Sequence, residues 1–181
     1  MKNPMSIFPE INALKEIKKN SGSLDLILPS VRSLENLLKI KKQLASNGIR
    51  KNSKIRFFVE TYIPLLIYEV DKIDQTTVDG VIIPLHKLGQ THLNKSILET
   101  KDYITILEIL KIIINELNKN LKIIIDMDFE PSIELFMELI NINPFAIIWR
   151  EIPSQEITNT LLDLGNKPKN PGRKLKPLFQ Y

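Results

Sequence analysis

Five residues in this sequence have the types and spacing to do chemistry. Glu60 closes "IRFFVE", His86 and Lys87 follow "GVIIPL", and Asp126 and Asp128 close "KIIIDMD". Carboxylates at strand ends can hold a hard divalent cation such as magnesium or move a proton. A histidine and a lysine at a strand end could be an active site, the remains of one, or simply the polar rim of a sheet. In an alternating strand Asp126 and Asp128 point to the same side, and with Glu60 they could form an acidic cluster. Each residue also has a plain reading. Glu60 is a polar strand end, and aspartates open loops because their side chains cap turns. His86 and His92 are six apart with no cysteine nearby, which is not zinc-ligand spacing. The chain has no cysteine, which excludes disulfides and thiolate chemistry. No serine sits in a nucleophile elbow, and neither a P-loop nor a dinucleotide fingerprint is present. Trp149 at the end of "FAIIW" is read as packing.

These residues need elements to place them. Short apolar runs recur at 24–28, 55–59, 80–85, 122–126 and 145–149, mostly continuous, as in strands buried on both faces of a parallel sheet. Helical patterns lie between them. Ser33 caps "LENLLKIKKQLASN" and Gly48 follows its end. Thr100 caps 101–119, where Tyr103, Ile106, Leu107, Leu110, Ile113, Ile114 and Leu117 repeat at helical spacing, with Ile104, Ile109 and Ile112 widening the stripe. Pro131 opens the helix of "SIELFMELI", and Ser154 caps a last helix closed by Gly165. Strands alternating with helices predict an α/β fold with a parallel sheet. The segment from His86 to His92 is read as a loop.

With 181 residues, 43% hydrophobic and 25% charged, the chain has the composition of one soluble globular domain. The net charge of +4 belongs to the end of the chain, since five bases and no acids follow Asp163. Residues 1–164 are therefore taken as one domain and 165–181 as a basic, proline-containing tail. The tail is read as a solvated or docked extension through Leu175, Leu178 and Phe179, not as a nucleic-acid-binding surface. No signal-peptide core and no apolar run of the roughly 20 residues that span a bilayer are found. The expected location is the cytoplasm, without a membrane partner.

Several of these segments together resemble a known family. "LDLILPSVRSLENLLKIKKQLASNGIRKNSKIRFFVET", "DGVIIPLHKLGQTHL" and "LKIIIDMDFEPSIELFMELININPFAIIWREIPSQEITNTL" resemble, in order and spacing, the C-terminal barrel domain of the phosphoenolpyruvate-utilising enzymes. These are phosphoenolpyruvate synthase, pyruvate phosphate dikinase and enzyme I of the sugar phosphotransferase system. The resemblance spans roughly residues 3–162. It implies a partial (β/α) barrel of about five parallel strands with flanking helices.

The resemblance also implies where the chemistry should sit, and there the chain departs from the family. The family's metal-binding glutamate falls on Glu60. The "ND" of its "NDL" motif, which supplies a metal-binding aspartate, falls on His86 and Lys87. Its catalytic cysteine aligns with Asp126, give or take one residue, and its "GWRG" arginine has no counterpart. A lysine where a metal carboxylate belongs turns attraction into repulsion, on the order of 4 kcal/mol per unit charge pair at about 4 Å near a surface. The expectation is a degenerate, pseudoenzyme-like relative, non-catalytic alone, with a binding or regulatory role and no cofactor. Asp126, Asp128, His86 and Lys87 are its candidate ligand-binding residues and Glu60 a residual metal ligand. The alternative is the C-terminal subunit of a split phosphoenolpyruvate synthase or dikinase, a phosphotransferase acting on pyruvate or phosphoenolpyruvate with Mg2+. Because five strands leave open sheet edges, a homodimer or a protein partner is expected in either case.

Overall fold

Parallel strands need crossovers, and the apolar runs supply the strands while the patterned segments supply the crossovers. A computed structural model describes residues 8–20, 23–62, 69, 72–74, 76–117, 121–149 and 153–166. The order is α1 (Phe8–Asn20), β1 (Leu24–Leu28), α2 (Leu34–Ser46), β2 (Ile55–Glu60), β3 (Gly80–Pro84), α3 (Leu85–Leu93), α4 (Thr100–Glu116), β4 (Lys122–Met127), α5 (Ile133–Asn141), β5 (Ala146–Trp149) and α6 (Gln155–Asn166). All five strands pair in parallel in the order β1-β2-β3-β4-β5. The sheet curls into half a barrel flanked by helices, an α/β fold as expected. Of the basic tail, residues 167–181, with Leu175, Leu178 and Phe179, lie outside the described residues.

The two faces of the sheet differ in what covers them. On the convex face Phe57, Val59, Val81, Ile83, Ile125 and Met127 join one buried cluster with helix residues such as Leu37, Leu88, Ile106 and Leu110. The concave face carries the alternate positions. At its first edge Asp25 pairs with Arg56, whose Nε lies 2.6 Å from Oδ1. In its middle Phe58 and Ile82 are buried, and Ile27 on the β1 edge is 49% exposed. Along its far margin sit Pro84, Asp126 and Ile148 in register.

Gly80 opens β3 where the strands crowd. A Cβ there would strike the Lys122 carbonyl oxygen and the Phe58 ring, so only glycine lets β3 approach β4 this closely. Just before it, Asp79 ties three strands together. Its carboxylate accepts from Phe57 N at 2.8 Å and pairs with Lys51 Nζ at 3.3 Å. Its own N–H donates to Phe57 O at 2.7 Å, and its carbonyl accepts from Lys122 N at 3.2 Å.

Four local expectations change. Residues 85–93 form the helix α3, not a loop. Pro84, which has no N–H, ends β3, and Leu85, Leu88 and Gly89 are buried on one side of the new helix. Thr100 is the first helical residue of α4 and Glu99 is its cap. The Asp102 carboxylate reaches back to accept from Glu99 N at 2.9 Å, and this draws the start back by one residue. Pro131 precedes the cap of α5: Ser132 holds that position and accepts from Leu135 N at 3.3 Å. Gly165 does not close α6, which runs to Asn166. Ser33 caps α2 as expected, accepting from Asn36 N at 3.1 Å, and Gly48 adopts φ +80° just past its end.

Candidate functional site

In a parallel α/β sheet the side chains that can meet a ligand gather where strands end and helices begin. Here that rim holds Glu60, His86, Lys87, Asp126 and Asp128. Glu60 is the last residue of β2, on the concave face, with its side chain 16% exposed. Its carbonyl accepts from Val31 N at 3.1 Å, and Thr61 Oγ1 donates to Val31 O at 2.8 Å. These two bonds fix the β1 and β2 loops against each other and hold the Glu60 backbone in place.

Lys87 stands in the first turn of α3 and reaches across to this carboxylate. Its Nζ lies 3.5 Å from Glu60 Oε1 and 5.6 Å from the centre of the Tyr62 ring. An ammonium between a carboxylate and an aromatic face is held by two attractions. The pairing places a fixed positive charge on the one carboxylate the sequence offers as a metal ligand.

His86, one residue earlier, turns the other way. Its Nδ1 is 2.9 Å from Tyr103 Oη of α4, and Phe129 stacks on Tyr103 with ring centres 4.4 Å apart. The His86 ring sits 6.2 Å from Phe129. Burial, with the nearby charges of Asp128 and Asp102 adding to it, pushes the Tyr103 phenol up to about 12. The phenol therefore stays protonated and can donate to His86. A rotation of about 100° per residue in a helix is what separates the two neighbours. Lys87 faces the mouth of the sheet and His86 faces the helix layer.

The aspartates separate too. Asp126 is buried on the concave face beside Pro84. Asp128 lies beyond β4, where strand alternation has ended, and it is exposed. Strand alternation does not extend to Asp128, since β4 stops at Met127. Among the described residues no three of the histidine, aspartate and glutamate side chains could hold a metal ion together. Glu60, Asp126 and Asp128 thus do not form that cluster. With Lys87 on Glu60, these residues do not fit a magnesium ion.

Sequence reasoning missed Tyr62, Tyr103 and Phe129 as site residues. Tyr103 was visible only as one position in an apolar helical stripe, and nothing in the spacing pairs it with His86. His92 lies elsewhere on α3, and burial lowers its pKa. No helix among the described residues is long and apolar enough to cross a membrane. Searched against protein-family models and against curated proteins, the sequence matches none.

Proposed function

We propose that this chain is a degenerate relative of the phosphoenolpyruvate-utilising barrel domains, non-catalytic alone, that acts in the cytoplasm as a binding or regulatory partner. The observation that carries this reading is the ammonium of Lys87, 3.5 Å from Glu60. It stands where the resembled family places a metal-binding carboxylate, and it neutralises the surviving ligand internally. A five-stranded parallel half-barrel, the fold that the resemblance implies, is consistent with the kinship. The fold alone does not carry the activity.

The test is calorimetric titration of the purified chain with Mg2+, alone and with phosphoenolpyruvate or pyruvate, beside a turnover assay. Neither metal-dependent binding nor turnover is expected in the wild type. Lys87→Asp, which gives Glu60 a second oxygen ligand, is expected to gain measurable Mg2+ binding. Magnesium-dependent turnover in the wild type that disappears in Glu60→Ala would overturn the proposal and favour the split-enzyme reading.

A further inference from the structure

The two ends of the half-barrel are built differently from its middle. Among the described residues, β1 and β5 each leave one edge unpaired. On the concave face the apolar side chain of each is exposed, Ile27 at 49% and Ile148 at 38%, whereas Phe58 and Ile82 between them are buried. Helix α6 adds Leu161 and Leu162, 40% and 58% exposed.

The direction of these leucines follows from the hand of the fold. In α2, Leu37 and Leu44 face the sheet. Lys41, about 50° further round the helix, donates to Thr77 O at 2.6 Å in the segment that leads into β3. Rotating that way from the buried side therefore points toward the next strand. Crossovers in one parallel sheet share their hand, so the same sense applies in α6. There Ile157 is buried, and Leu161 and Leu162 lie further round in that direction, beyond β5. They face the place of a sixth βα unit.

Charge indicates what fills that place. Counting only described side chains, the β1 end up to Ser46 carries five bases (Lys15, Arg32, Lys39, Lys41 and Lys42) and three acids (Glu16, Asp25 and Glu35), whereas the β5 end from Asn143 to Asn166 carries two acids (Glu156 and Asp163) and no base. A β5 end meeting a second β5 end would bring like charges together, whereas a β5 end meeting a β1 end joins opposite ones.

We infer that the open edges are an interaction surface for a second copy of this chain, with β5 of each copy docked beside β1 of the other around a two-fold axis parallel to the strands. Both junctions are then equivalent, both edges vanish, and the two half-sheets close into one ring of parallel strands. This rests on the reading of the chain as a binding partner and names that partner as a second copy. It is read by light scattering, whereas the ligand part is read by calorimetry, so either can fail alone.

The experiment uses full-length protein in a concentration series, with Ile148→Glu and Ile27→Lys variants. Both side chains are exposed, and unchanged circular dichroism is the check that each variant folds. The wild type is expected to be a dimer. Each variant alone places a charge in both junctions and should weaken association on the order of a hundredfold. Mixing the two should restore a dimer. One junction then sets the introduced carboxylate of the first variant against the introduced ammonium of the second, and the other junction is wild type. A monomeric wild type, open polymers, or a dimer indifferent to both variants would each overturn the inference. So would a monomer that dimerises only after residues 167–181 are removed, since the edges would then belong to the tail.

Discussion

Replacing Asp79 tests how the sheet is tied together at the start of β3. The carboxylate accepts from Phe57 N at 2.8 Å, and Phe57 itself is fully buried, 1% exposed. A hydrogen bond to a charged group contributes about 1.5–3 kcal/mol, and losing it leaves a buried N–H without a partner. The ion pair to Lys51 is 3.3 Å long, with both side chains roughly a fifth exposed; screening reduces its contribution to about 0.5 kcal/mol. Asp79→Ala should therefore cost about 3 kcal/mol. Asp79→Asn keeps an acceptor for Phe57 N but loses the charge, and should cost about 1 kcal/mol. Lys51→Met removes the ion pair alone and should cost about 0.5 kcal/mol. At about 3 °C per kcal/mol for a domain of this size, the melting temperature falls by roughly 9, 3 and 1–2 °C in that order. Urea unfolding followed by circular dichroism measures all three. Equal losses for Ala and Asn would refute the reasoning, because the cost would then lie in the charge and not in the bond to the β2 backbone.

Two further outcomes follow from the same geometry. Gly80→Ala should destabilise by about 2 kcal/mol or more, since the added carbon meets the Lys122 backbone as well as the Phe58 ring; a stability change below about 0.5 kcal/mol in chemical denaturation would show that β3 and β4 can move apart. Tyr103 has its pKa raised to about 12 by burial first and by Asp128 next, so the folded state holds this proton where the unfolded chain has released it. Its stabilising contribution is complete below about pH 10 and is lost as pH rises from about 10 to 12. Ultraviolet titration should show one late-ionising phenol that is absent in Tyr103→Phe; an unchanged titration curve in that variant would refute it.

The strands were legible because each is a short, mostly apolar run, and burial on both faces demands that pattern in full only for β3, whose five residues are all buried. Their limits moved by a residue or less: "FAIIW" lost Phe145 and "KIIID" gained Met127. The helix α3 was hidden because "LHKLGQTHL" follows an apolar strand directly, and only the missing N–H of Pro84 separates the two. For the site, sequence supplied the residues of the rim but not their directions. His86 and Lys87 are neighbours in the chain, yet one binds Tyr103 and the other Glu60. That difference is set by helix rotation and by partners 17 and 27 residues away in sequence, and no local spacing encodes it. For Asp126 and Asp128 the limit is the strand itself: period-two alternation holds only as long as the strand does, and β4 stops at Met127.

The sequential strand order carries a consequence for synthesis. Every strand of the sheet is laid down beside the one made just before it. On the ribosome no strand must wait for a distant partner, so pairing can advance at the pace of elongation, one crossover at a time. At each stage the newest strand offers its free edge where the next strand will arrive, while the outer edge of β1 stays open throughout. A rare pause between β3 and β4 would leave a three-stranded intermediate that is native in every pairing it has made.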